Sequence, residues 1–311
     1  MKNKKVLIIL LLILLIPLTG CTKNLLDEKK KPVTNEVTGQ RLVKNILCQP
    51  EDERTIEIYQ EHNVELDKLP KCSKFSVSSG GYEGIWTTIF VKPLAWFILF
   101  LGNLVKSYGL AVILTTILIR LIMYPVTRKT ALQSENMKKA KPELEKLEKK
   151  YKNITTQEIQ MQKTQEMMQI YKKYQISPFS GCLFAVLQIP LFFAFFEALN
   201  RLPAIFETKF LGYQLGTSPL TGLTNNQWQY LLIIVLVIST TFFSFKFNSA
   251  LANDENQEKQ MKMMTSMSTV FISVASFTVS TGIALYWIFN SGFTIVQNLI
   301  VKRRKKNANI I

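Results

Sequence analysis

The chain has 311 residues, a formal net charge of +16 and 48% hydrophobic residues, and its apolar residues fall in long blocks that approach bilayer length. Blocks of that kind exclude an ordinary soluble fold, which scatters apolar residues at period two or 3.6. The excess positive charge points to nucleic acid, anionic lipid or ribosomal surfaces. A single histidine (His62) and four scattered cysteines leave almost nothing for a zinc site or a His-dependent catalytic centre.

In chain order, the first element is a signal. Lys2, Lys4 and Lys5 precede an apolar run from Val6 to Ile16, then Leu18-Thr19-Gly20-Cys21. A basic head, a short apolar stretch and small residues describe an export signal, and the stretch is too short for a stable span. The Leu-Thr-Gly-Cys run resembles the bacterial lipobox. That likeness implies removal of residues 1–20 and a lipid anchor on Cys21 at the extracytoplasmic face. Residues 21–84 are polar and mixed in charge. They read as an extracytoplasmic tether, mostly extended, with one short helix near Arg54 to His62 and no core. Cys48 and Cys72 share this exported segment, and a disulfide or two free thiols are equally open. Cys182 lies in an apolar stretch and reads as a small packing residue.

The pattern predicts an all-α membrane protein. It has five transmembrane helices, a cytoplasmic helical hairpin and an extracytoplasmic interfacial helix. The expected spans are 107–127, 177–199, 228–247, 261–280 and 282–301, with loops at 200–227 and 248–260. Parity decides whether 85–106 also crosses. Arg128 to Lys173 carries 12 Lys and Arg against six Glu, the tail 302–311 adds five basic residues at 302–306, and Asn200 to Gln227 holds only Arg201 and Lys209. Basic loops stay cytoplasmic. Five spans put both basic segments inside, so residues 85–106 should lie along the outer interface, with Trp86 and Trp96 at headgroup level.

The basic segment 128–176 reads as two antiparallel helices. Leu144, Leu147 and Tyr151 give one thin apolar seam, and Met161, Met168 and Tyr171 give the other. Asn153 to Thr156 breaks the run, with Thr155 and Glu158 spaced as a capping box. So thin a seam makes the hairpin only weakly self-stabilised.

Arg120 interrupts the otherwise uncharged stretch Leu110 to Met123. A charge within a span costs about 2.5 kcal/mol or more and needs water, a partner or a function. Thr116, Arg120 and Tyr124 share one helical face. Glu197 is the only acidic residue in the spans and sits near the opposite end of its helix, which argues against a fixed ion pair. Two accounts remain: a water-filled cavity around Arg120, or snorkelling towards Arg128 and the cytoplasmic surface. Gln188, Ser239 to Thr241, Asn290, Ser291 and Gln297 are further intramembrane polar groups, ordinarily helix-to-helix glue. Met261, Met263, Met264 and Met267 form either an adaptable contact surface or plain packing.

Three separated motifs carry a resemblance. They are Ile117-Leu-Ile-Arg-Leu-Ile-Met-Tyr-Pro-Val-Thr127, Tyr174-Gln-Ile-Ser-Pro-Phe-Ser-Gly-Cys-Leu-Phe184 with Gln188-Ile-Pro190, and Gly282-Ile-Ala-Leu-Tyr-Trp287 with Gln297. In order and spacing, residues 82–306 resemble the YidC/Oxa/Alb membrane protein insertases, and the lipoprotein start looks like their Gram-positive branch. The resemblance implies a hydrophilic groove open to the cytoplasm and to lipid. Arg120 would stand in it, with Thr116, Gln188, Tyr286 and Gln297 at matching positions. It also implies that nascent membrane proteins are the passengers, that the hairpin helps receive them, and that the basic tail contacts ribosomes. Ser177, Phe184, Ser280 and Ser291 depart from the family's usual residues.

No nucleotide-binding loop is present, so neither enzymatic activity nor a cofactor or metal is expected. The basic segments lack interleaved aromatics, which speaks against specific nucleic-acid binding. An anion transporter would show broken helices and inverted repeats, and neither is found. A passive assembly scaffold would share the topology without needing Arg120. The residues leave open whether a Sec translocon is a further partner.

Overall fold

The computed structural model describes residues 22–151, 156–177, 180–248 and 255–308; the signal segment and Cys21 lie outside them. The described chain forms two compact units. The first runs over Met1–Ile119, Val186–Val237 and Val274–Asn290, the second over Arg120–Ala185, Ile238–Ser273 and Ser291–Ile311.

Residues 22–84 are not the extended tether that their composition suggests. Antiparallel bridges pair Asn24 with Val43, Leu26 with Pro32 and Thr34 with Arg41. Helix α1 (Glu53–Glu61) is N-capped by Asp52, whose carboxylate accepts the Thr55 N–H at 3.0 Å. Leu25, Leu42, Val43, Ile46, Tyr59 and Leu66 form a small core. The Tyr59 hydroxyl is satisfied by donating to the Val43 carbonyl at 3.0 Å. Phe206, from the loop beyond residue 200, completes that core, so counting apolar residues within 21–84 alone misses it. Cys48 and Cys72 are joined by a disulfide, which closes the alternative of two free thiols.

One π-helical turn, Thr87–Val91, runs into α2 (Lys92–Val105). Lys106 ends α2 in the left-handed region at φ 55°, and its N–H returns to the Gly102 carbonyl. Leu94, Ala95, Ile98 and Leu99 of α2 pack in one core with Ala111, Val112, Phe195, Ala198, Leu199 and Tyr286. The other face leaves Ile89, Trp96, Phe100 and Leu104 exposed. Trp96 is exposed and stacks on Phe100, whereas Trp86, expected with it at headgroup level, is 2% exposed.

Helix α3 (Tyr108–Tyr151) is continuous over 44 residues, with Pro125 and Pro142 inside it. The first expected span and the first hairpin arm are therefore one helix. Helix α4 (Gln157–Lys173) is the second arm. The break expected at Asn153 to Thr156 lies, apart from Thr156, outside the described residues. Thr155 lies outside the described residues, and Thr156 is the N-cap without a side-chain cap bond. Met137, Ala140, Leu144, Tyr171 and Ile176 are the buried seam, with Met167, Ile170 and Tyr174 packed against it. Met161 and Met168 are exposed, so only Tyr171 of the expected second row lies in the seam.

Helix α5 (Ser180–Arg201) leads into a folded loop made of α6 (Pro203–Phe206), a two-stranded hairpin of β1 (Lys209–Phe210) and β2 (Tyr213–Gln214), and α7 (Pro219–Thr224). Gly39 has φ +67°, and a Cβ there would come within 2.5 Å of Thr221 of α7, so this approach of segment and loop needs glycine. Helices α8 (Tyr230–Asn248), α9 (Glu255–Thr278) and α10 (Thr281–Ala308) follow. The turn expected at Thr281-Gly282 is held by the loop. Thr281 N–H donates to the Thr217 carbonyl at 3.0 Å, and Gly282 N–H to the Leu215 carbonyl at 2.9 Å.

Among the described residues, Thr87–Val105, Tyr108–Tyr151 and Thr281–Arg303 are long and apolar enough to cross a membrane. Tyr230–Lys246 and Thr265–Thr278 are shorter apolar helices.

Candidate functional site

Arg120, the charge that the sequence singles out, is 2% exposed. Its guanidinium is enclosed by protein, so snorkelling to the surface does not describe it. It belongs to the second unit. The same unit buries Thr127, Thr241, Ser291, Thr294 and Gln297, contributed by α3, α8 and α10. The Thr127 hydroxyl lies 3.0 Å from Gln297 Oε1. The Thr241 hydroxyl oxygen is buried with no hydrogen-bond partner among the described residues. A buried hydroxyl without a protein partner is where an ordered water is expected.

Thr116, Gln188 and Tyr286 fall in the first unit. Gln188 Nε2 donates to the Tyr286 hydroxyl at 3.2 Å. Tyr286 is itself fixed by stacking on Phe195, with ring centroids 4.2 Å apart. The Thr116 hydroxyl donates back along its own helix to the Val112 carbonyl at 2.7 Å, a local bond that leaves only its acceptor side for anything else. The five expected site residues thus resolve into a Gln188–Tyr286 pair, Thr116, and Arg120 with Gln297 in the other unit. Thr127 and Thr294 were missed by the sequence reading. Thr127 lies seven residues after Arg120, two turns on, so extending the polar face of α3 beyond Tyr124 finds it. Thr294 stands one turn from both Ser291 and Gln297 along α10 by the same rule.

A second buried charge cluster joins residues 45–92 to α5 within the first unit, and the sequence reading had assembled none of it. Lys92, fully buried, reaches Glu83 Oε1 at 2.9 Å and donates to the carbonyls of Ser79 at 2.7 Å and Gly81 at 2.6 Å. Arg201 pairs with Glu197 at 3.0 Å and with Glu83, and its Nε donates to the Asn45 carbonyl at 2.5 Å. Glu197 also accepts the Trp86 indole N–H at 3.0 Å, which explains why that ring turns inward. Burial on its own would push Glu83 up, but Arg201 and Lys92 together hold its carboxyl below the usual range. Two cations and two carboxylates, with their remaining donors and acceptors on backbone and indole, satisfy the condition for burying charge. The signal available in sequence was the i, i+4 spacing of Glu197 and Arg201.

Long apolar helices with charge and polar groups folded inside them define a multi-pass protein of the cell membrane. Residues 100–308 match the family described as 60Kd inner membrane protein. Membrane protein insertase YidC 2 of Bacillus anthracis is 34% identical over 220 residues, covering 70% of this chain and 82% of that one. Membrane protein insertase YidC of Oceanobacillus iheyensis is 32% identical over 229 residues, 71% and 85% of the two chains. A crystal structure described as an active YidC insertase with its first transmembrane domain resolved has a TM-score of 0.49 at 23% identity. It is matched over 80% of this chain and 53% of its own, so this chain spans about half its length. The chain belongs to the YidC/Oxa/Alb family of membrane protein insertases.

Proposed function

We propose that this chain moves hydrophobic segments of nascent proteins from the cytoplasm into the bilayer, by a physical rather than a chemical mechanism. The buried polar residues of the second unit, Arg120 and Gln297 among them, form a wetted pocket. Thr116, Gln188 and Tyr286 give the first unit its own polar groups at depth. Water in such a pocket lowers the cost of bringing a short polar flank of the passenger partway across, and Arg120 attracts acidic residues on that flank. The hydrophobic segment then leaves sideways into lipid, where burial at about 25 cal/mol per Å² drives completion. Membrane potential acting on the passenger's charge adds to this.

The observation that carries the reading is a guanidinium 2% exposed on a helix that is apolar enough to span. The charge distribution supports five spans, residues 85–106 on the outer interface, and hairpin and tail in the cytoplasm, and the lipobox-like Leu18-Thr19-Gly20-Cys21 supports Cys21 as an extracytoplasmic lipid anchor. There the basic tail is suited to ribosomal contact, and Met263 and Met267, 60% and 65% exposed, give an adaptable apolar surface.

The test is depletion of the chain in cells with insertion of a reporter membrane protein as readout, rescued by wild type or by Arg120→Ala. Wild type should restore insertion, and Arg120→Ala should fail for reporters with acidic translocated flanks. Normal insertion of those reporters by Arg120→Ala, with no other insertase present, removes the charge-attraction step.

A further inference from the structure

A carboxylate that the insertion reading does not use joins the folded loop to residues 22–84. Glu207 caps the C-terminus of α6. Its Oε2 accepts the Glu51 backbone N–H at 3.0 Å, and the neighbouring Asp52 N–H also favours the ionised form of this carboxylate. Asp52 in turn is the N-cap of α1, so one side chain ties the start of that helix to the loop. The other oxygen, Oε1, is buried with no hydrogen-bond partner among the described residues. Glu207 also lines a cavity of about 490 Å³, with Asp52, Arg54, Lys209 and Gln214 among its walls. All of these groups belong to the first unit.

The two oxygens have opposite needs. Oε2 is served by backbone donors in either protonation state. Oε1, when the group is ionised, carries buried negative charge with no protein donor to it among the described residues. The surrounding charges are Glu51 and Asp52, which repel it, and Arg54 and Lys209, whose side chains are exposed and weaken with screening. The Tyr59 phenol is itself pushed up, by burial first and by the charge of Glu207 as well. A proton on Oε1 removes the penalty without disturbing the bonds to Oε2. Burial accordingly pushes Glu207 up to about 7, although the Glu51 and Asp52 N–H groups pull the other way.

We propose that Glu207 is a proton-operated latch: neutral, it clamps Glu51, Asp52 and α1 onto the loop, and ionised, it lets them lift. The folded value lies above the ordinary carboxylate value, so the clamp's contribution is full below about 4.5 and is lost as pH rises through about 7. Acidification of the face that carries residues 22–84 would tighten this segment, and alkalinisation would loosen it. The inference stands apart from the insertion mechanism and survives if Arg120 proves dispensable.

Amide hydrogen exchange of the full-length protein in nanodiscs tests it, read as protection factors at Glu51 and Asp52 corrected for intrinsic rates. Wild type should lose at least about tenfold in protection between roughly pH 5 and pH 8, with a midpoint near 7. Glu207→Gln keeps the acceptor but does not titrate, so it should stay protected at both pH values. Glu207→Ala should be unprotected at both. Amides of α10 report whether a variant is folded. Should Glu207→Gln fail that control, the wild-type titration decides alone. Flat wild-type protection across this range, or the same pH dependence in a folded Glu207→Gln, overturns the latch.

Discussion

At Arg120 the question is what a buried cation does for a protein whose helices otherwise sit in lipid. A centrally placed charge costs about 2.5–3.5 kcal/mol by insertion scales, and a residue retained at that cost has a use. If attraction to acidic flanks is the use, Arg120→Lys keeps the charge and should retain part of the insertion rate. Arg120→Ala should slow acidic-flank passengers by at least about fivefold, roughly 1 kcal/mol, and leave neutral-flank passengers nearly unchanged. Parallel insertion kinetics on the two passenger types check this, and equal slowing of both contradicts it. Glu197 makes the contrasting case, since its role is structural. Removing one partner of a buried pair costs about 3–5 kcal/mol, and Glu197→Ala also strands the Trp86 indole N–H. Thermal unfolding in detergent should show that loss for Glu197→Ala, and Glu197→Gln, which can still accept from Trp86, should lose less. Arg120 was legible because one charge in an apolar stretch stands out in any reading. The Glu83–Lys92–Arg201–Glu197 cluster was not, because its members come from separated segments and only Glu197 and Arg201, at i, i+4, signal a pairing.

Among the elements, the hairpin and the segment 22–84 depend on different forces. The hairpin was legible as two arms, but its seam was misread on α4. Apolar periodicity picked out Met161 and Met168, which are exposed, and passed over Met167 and Ile170, which pack against the seam. The register is instead supported by cross-arm ion pairs: Lys150 with Glu166 at 2.7 Å, Lys163 with Glu148 at 3.6 Å and Lys173 with Glu143 at 2.5 Å. Single-residue periodicity cannot see such pairs. Lys173 and Tyr174 hold the Glu143 carboxyl below its usual range, and Lys150 and Tyr151 do the same for Glu166. Both folded values are depressed, so their contribution is present above about 4.5 and fades as pH falls through the lowered values. Exchange protection of α4 should therefore fall in acid, the reverse of the behaviour expected at Glu51, and a hairpin equally protected throughout would contradict it. Leu144→Ala, deleting a fully packed seam residue, should melt the hairpin while α10 stays protected. In residues 22–84 the disulfide closes a loop of 24 residues, worth about 3 kcal/mol by chain-entropy reasoning. Cys48→Ser with Cys72→Ser should increase exchange across α1 by a corresponding margin. Composition alone could not anticipate this small fold, because Phe206 completes its core from more than a hundred residues away.

For the whole molecule, the apolar blocks marked where helices lie, and the last apolar region divides into α9, ending at Thr278, and α10, starting at Thr281. Continuity was the part the sequence hid. The basic segment reads as a separate domain, yet α3 runs from Tyr108 to Tyr151, with Pro125 and Pro142 inside it, since a change from apolar to basic residues marks a change of surroundings and not the end of a helix. The insertion account needs water at depth, and Thr241 is the most direct place to look for it. In a Cys182→Ser background that keeps the Cys48–Cys72 disulfide, Thr241→Cys should react with a water-borne maleimide at a rate far above Val235→Cys, a residue 56% exposed on an apolar stretch of the same helix. Thiolate chemistry requires water, so a reactive thiol at 241 means a wetted interior. A thiol there as inert as the one at 235, in a protein that still inserts its passengers, would mean a dry interior and a different route into the bilayer.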